Sequence, residues 1–105
     1  MGQQAQAATT PMQIVWTRQA IADLAEIEQY IEQDKPQAAR RVAALLVGSV
    51  EHLAEFPQLG KPGPRPGTRD LIVPPYFISY RIRSAGLEIL SIWHGRRRRR
   101  ENAGT

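Results

Sequence analysis

Cysteine is absent from the 105-residue sequence. Neither a disulfide framework nor a thiolate metal site can be built, and nothing argues for an oxidising compartment. Long apolar runs are missing too: no segment approaches the ~18 apolar residues that a membrane span needs. The stretch from Met1 to Pro11 has neither the basic start nor the apolar run of a signal peptide. These absences lead us to expect a soluble, cytoplasmic protein without membrane contact. A phosphate-cradling glycine loop is lacking as well, because the glycines of KPGPRPG alternate with prolines, which have no amide to donate. No grouping of side chains has metal-ligand spacing, so no metal and no cofactor is expected.

What is present first is charge, unevenly placed. Residues 1 to 60 carry four basic and seven acidic side chains, whereas residues 61 to 105 carry ten basic side chains against Asp70, Glu88 and Glu101. The acidic first part and basic second part predict contact with an anionic partner, through phosphate or carboxylate groups. The run Arg96 to Arg100 supplies half of the basic charge in that second part; it reads either as an anion site or as a solvated tail that keeps the protein in solution.

A chain of this length has room for one core, burying roughly 60 to 70% of its unfolded surface. Residues 1–11, rich in Gln, Ala and Thr, lack periodicity and are expected to be disordered, with Met12 a candidate natural start. Residues 12–95 are expected to form the single domain, and 96–105 a basic, flexible tail. Ile14, Val15 and Trp16 read as a first strand. Thr17 fits a helix N-cap, and Ala20, Leu24, Ile27 and Ile31 recur at helical spacing behind it, with Asp23, Glu26, Glu28 and Glu32 expected on a wet acidic face. Asp34 as cap and Pro36 in the first turn open a second helix, striped by Ala39, Val42, Leu46, Val50 and Leu53. The short link between them forces an antiparallel hairpin. Helices are predicted over about 18–33 and 36–55.

Residues 60 to 67 hold three glycines and three prolines and read as a loop. Three apolar runs follow, near 69–73, 77–83 and 87–94, the last two joined by a Ser84-Ala85-Gly86 turn. In the middle run Ile78, Tyr80 and Ile82 share one face, assigned to the core, and Ser79, Arg81 and Arg83 the other. The last run is apolar on both faces, since Leu87, Ile89 and Trp93 oppose Leu90 and Ile92. The fold class is therefore α+β, in the order β-α-α-β-β-β, with both helices on one face of the sheet. The second face is left to be covered either by a partner segment or by arginine stems and the preceding loop.

The segments TRQAIADLAEIEQYIEQDKPQAARR, LAEFPQLGKPGPRPGTRDLIV, YFISYRI and EILSIWHGRRR, in this order, resemble the RelE/ParE superfamily of bacterial toxins over residues 13 to about 98. The DxP turn of the hairpin, the PGTR before the second strand and the HG after the last are most similar to the ParE branch. The resemblance implies a type II toxin neutralised by a cognate protein antitoxin in a hetero-oligomer, with no sequence-specific DNA binding by this chain alone. ParE-like toxins act on DNA gyrase and need no catalytic residues of their own. RelE-like toxins instead cut messenger RNA on the ribosome without a metal. A non-toxic protein-binding module of the same fold is a third reading.

The poison and the nuclease ask for different residues. A metal-free ribonuclease needs a base, an acid and fixed cations. His94 is the candidate acid or base, and Arg69, Arg81 and Arg97 the candidate phosphate holders. The resemblance puts Phe77 where RelE carries a catalytic arginine, gives Arg97 a counterpart, and leaves the nuclease branch's C-terminal tyrosine without one; the His-Tyr pair of the YoeB-like branch is here His94-Gly95. The reading is thus a gyrase-directed poison rather than an enzyme, with target or antitoxin contacts expected from Arg69, Arg81, Arg83, Trp93, His94, Arg96, Arg97 and Arg98.

Overall fold

A computed structural model of the chain describes residues 10–96; the expectations for residues 1–9 and for 97–105, Arg97 and Arg98 included, lie outside the described residues. The elements run β1 (Ile14–Trp16), α1 (Arg18–Glu32), α2 (Pro36–Glu55), β2 (Lys61–Pro62), β3 (Thr68–Val73), β4 (Tyr76–Arg83) and β5 (Gly86–His94). They form one five-stranded sheet in the order β1-β5-β4-β3-β2. The α+β order β-α-α-β-β-β is as the patterning predicts. Two features were not legible: β2, a short edge pairing antiparallel with β3 inside the expected loop, and the parallel pairing of β1 with β5. The three strands β3, β4 and β5 are antiparallel to one another.

Both helices cover the same face. Ala20, Leu46, Val50 and Leu53 meet Ile78, Tyr80, Leu87, Ile89 and Ile92 in one cluster, with Leu24, Ile27 and Val42 packed at its margin. Each fully buried aliphatic side chain there contributes roughly 1.5 to 3 kcal/mol by leaving water. Ile78 and Tyr80 are core, as their alternation implies, whereas Ile82 lies at the hairpin end and is 37% exposed. The start of α1 is set by Thr17, whose hydroxyl accepts from Ala20 N. Asp34 does not cap α2: the residue before Pro36 is Lys35, which makes no side-chain cap, and Pro36 needs none for its own missing N–H.

The mixed pattern of β5 has a specific cause. Ser79 pairs with Ser91 but Tyr80 pairs with Ile89, so Leu90 is an extra residue in β5. This β-bulge reverses the alternation along the strand. Leu87 and Ile89 before it, and Ile92 after it, all reach the helical side, and Trp93 is turned to the far face, stacked on Phe77 with rings 5.5 Å apart and 4° from parallel. The strand is thus not apolar on both faces; it is one core-facing strand with a change of phase.

Candidate functional site

The bulge is held from α1. Thr17 Oγ1 donates toward Ile89 O at 2.7 Å, with Leu90 O at 3.1 Å. Further along the helix, Asp23 Oδ2 accepts from Ile92 N at 2.9 Å, and its other oxygen accepts from Gln19 Nε2 at 2.7 Å. Asp23 is therefore not part of a wet acidic face. It satisfies a strand amide that β1 cannot reach, because β1 pairs only as far as Ile89.

Where β1 stops, a cleft of about 660 Å³ opens between α1 and the last residues of β5. Asp23, Glu26, Tyr30 and Ile31 stand on its helical wall, and Tyr76, Ile92, His94 and Arg96 on the other. Tyr76 and His94 meet edge to face with centroids 5.6 Å apart. His94 Nδ1 accepts from Arg96 N at 3.2 Å, which leaves Nε2 as the protonated nitrogen of the neutral ring. Of these residues the sequence singles out only His94 and Arg96 as contacts. The grouping of Glu26 and Tyr30 with them follows from helical spacing combined with the early end of β1, which no single-segment pattern reveals.

The far face of the sheet carries the cross-strand rows Ile72–Phe77–Trp93, Asp70–Ser79–Ser91 and Thr68–Arg81–Glu88. It is only partly open. Thr68 and Ser79 are buried, and they line a depression of about 210 Å³ together with Pro64 and Arg65 of the preceding loop and Leu90 and Ser91 of β5. Phe77 lies against Trp93, and Ile72 remains 44% exposed. Arg83 pairs with Glu88 at 3.1 Å, on the surface, where such pairs contribute little.

The remaining candidate arginine points elsewhere. Arg69 shares the helical side with Tyr80, its register partner, and donates through Nη1 to Gly60 O at 2.6 Å. Tyr80 in turn donates to Pro57 O at 2.7 Å and accepts from Gly60 N at 2.9 Å. Burial pushes the Tyr80 phenol above its ordinary value of 10.0, against the lowering pull of the Gly60 amide and the Arg69 charge. Arg69 and Tyr80 are thus a lock on the loop after α2. The sheet separates the predicted residues: Arg81, Arg83 and Trp93 on the far face, Arg69 and His94 on the helical side, and Arg96 at the cleft mouth.

Residues 14–99 match the model of the ParE toxin of the type II toxin-antitoxin system, parDE. The chain belongs to the ParE toxin family. The sequence of this ParE-family toxin is 47% identical over 83 residues to toxin Y4kP of Sinorhizobium fredii, a match covering 77% of this chain and 85% of that one. Its fold is similar to a chain of the chromosomal ParDE toxin-antitoxin system from P. aeruginosa, at a TM-score of 0.73 and 28% identity, covering 79% of this chain and 95% of that one. It is also similar to a chain of the toxin-antitoxin complex RelBE2 from Mycobacterium tuberculosis, at a TM-score of 0.63 and 26% identity, covering 81% and 99%. Both structures are of toxin-antitoxin systems, which supports an antitoxin partner for this ParE-family chain. Among the described residues no helix is long and apolar enough to cross a membrane, and no three His, Asp or Glu side chains are grouped to hold a metal ion.

Proposed function

We propose that this type II toxin acts in the cytoplasm as a ParE-like inhibitor of DNA gyrase, held inactive by a cognate antitoxin, and that it works by binding rather than by catalysis. The observation that carries this reading is the division of the candidate residues. A phosphodiester cleavage needs its acid, base and cations converged within about 3 Å of the reacting atoms. Here Arg81 is on one face of the sheet while Arg69 and His94 are on the other, and Arg69 is committed to the carbonyl of Gly60. An interface tolerates such dispersion, because it draws on area and charge rather than on one reacting point.

The test is direct. Purified protein, gyrase and supercoiled plasmid are assayed for loss of supercoiling and for gain of cleaved DNA. Primed ribosomes with messenger RNA are assayed in parallel. Inhibition or cleavage in the first and intact messenger in the second is the expected result. Cleavage of messenger in the ribosomal A site with gyrase unaffected overturns the proposal in favour of a RelE-like nuclease.

A further inference from the structure

We infer that the depression over Ser79, on the far face of the sheet, is a subsite for the phosphodiester oxyanion of a nucleic-acid backbone, held by Arg81, Arg65 and the hydroxyls of Ser79 and Ser91. The first observation is an unmet donor. Arg81 Nε is buried without a hydrogen-bond partner, and Arg81 makes no ion pair among the described residues. Glu88, its partner in β5, is taken by Arg83. A buried charged donor without an acceptor is costly, and an incoming anion relieves that cost. The second observation is the depression itself. Ser79 is only 8% exposed, yet it lines this space of about 210 Å³ and its hydroxyl has no partner among the described residues. Ser91, its partner in β5, lines the same space. Arg81 stands two residues from Ser79 on the same face of β4, a step of about 7 Å, and its partner in β3, Thr68, is also a lining residue.

The third observation is how Arg65 is placed. Thr68 donates twice to Arg65 O, through N at 3.2 Å and Oγ1 at 2.8 Å. Gly67, at φ +82°, supplies the positive φ of the Pro-Gly turn between them. The turn fixes Arg65 at the depression, where it too makes no ion pair among the described residues. Donors thus come from β4, β5 and the loop. That suits a tetrahedral oxyanion, whose oxygens point in several directions, better than a planar carboxylate, which one guanidinium satisfies through two parallel bonds. Asp70, the partner of Ser79 in β3, does not line the depression, but its charge is near enough to disfavour a dianion. A backbone phosphodiester carries one negative charge, whereas a terminal phosphate carries about 1.5 to 2 at neutral pH. No histidine or carboxylate lines the depression, so the subsite holds a phosphate without cleaving it. The inference stands on the far face alone and does not depend on gyrase being the target.

The test is an NMR titration of the full-length protein with single-stranded oligothymidylate of about six nucleotides. The expected result is saturable shifts of the Arg65, Ser79 and Ser91 amides, with binding that weakens as salt rises. Reading these amides separates the depression from the arginines that end the chain. Arg81→Gln should weaken the binding read there about tenfold, while Arg41→Gln, which removes the same charge from an exposed position of α2, should change it by less than about twofold. Ser79→Ala, which keeps a small side chain, should weaken it several-fold and carries the test if Arg81→Gln folds poorly. Shifts that spare Arg65, Ser79 and Ser91, or equal losses in Arg81→Gln and Arg41→Gln, overturn the inference. Inorganic phosphate that reproduces the shifts at the same phosphate concentration makes this a free-phosphate site and overturns the assignment to a backbone. A glutamate-rich peptide that moves these amides where the oligonucleotide does not gives the depression to a protein carboxylate and overturns it as well.

Discussion

The Asp23 carboxylate accepts the Ile92 amide at 2.9 Å across 69 positions of sequence, and so ties the middle of α1 to the strand immediately after its bulge. Without it, a strand amide at the edge of the cleft has no partner, because β1 ends its pairing at Ile89.

Asp23→Ala should therefore cost about 1 to 3 kcal/mol, the desolvation penalty of an orphaned donor. Asp23→Asn keeps an oxygen acceptor and should cost less. Urea unfolding measures the difference, and amide exchange locates it: Ile92 N–H should exchange faster in the alanine variant while Ile78 and Leu46 stay protected. Equal stability of wild type and Asp23→Ala would show that water serves Ile92 N as well as the carboxylate does.

The bulge also marks the boundary of what the sequence makes readable. Helical spacing places α1 and α2 because a four-three-four recurrence such as Ala20, Leu24, Ile27, Ile31 has one physical solution. Alternation places Ile78 and Tyr80 for the same reason. Leu90 carries no such mark: an extra residue is visible only against the partner strand, so β5 reads as apolar on both faces. Asp23 is misplaced for a related cause, since its spacing from Glu26 says only that it is off the core stripe, not that a strand edge waits beside it. Arg69, Arg81 and Arg83 do lie on strands, as their apolar neighbours imply. Which face each serves depends on register, and register separates Arg69 from Arg81.

Tyr80 offers a prediction in pH. Its folded phenol titrates above its ordinary 10.0 because burial disfavours the phenolate. The stability it contributes is therefore fully present below pH 10.0 and is lost as pH rises from there through the raised folded value. Tyr80→Phe strands Pro57 O and Gly60 N and should cost about 1 to 3 kcal/mol at neutral pH. It should also flatten the loss above pH 10, as thermal melts across pH 8 to 11 would show. An unchanged alkaline slope in Tyr80→Phe would assign that loss to other groups.

Gly86 should resist substitution. Its φ is +153°, and a Cβ there would overlap the backbone oxygen of Gln13. The same oxygen accepts from Leu87 N at 2.7 Å, the bond that opens the β1–β5 pairing. Gly86→Ala adds backbone strain of about 1 to 3 kcal/mol and pushes β1 away. Faster amide exchange at Leu87 and a lower melting temperature are the expected readings, with Ala85→Gly as a control at the neighbouring position. A Gly86→Ala variant that melts no lower than that control would contradict them.

The last prediction separates a binding poison from a nuclease in cells. A general acid or base contributes about 10² to 10⁴ to a rate, so His94→Ala should abolish growth inhibition if His94 transfers protons. In the geometry described, His94 faces Tyr76 and accepts from Arg96 N, away from Arg81. We expect His94→Ala to keep growth inhibition within about threefold of wild type at matched expression, since truncating a residue outside an interface hot spot costs little. Deleting Arg96 to Arg100 should weaken inhibition far more, because it removes half of the basic charge of residues 61 to 105 at once. Cells expressing the active chain should filament and induce the DNA-damage response while amino-acid incorporation continues. If His94→Ala is harmless to the host and incorporation by the wild type stops within minutes, the cleft histidine is catalytic and the gyrase reading gives way to ribosome-dependent cleavage.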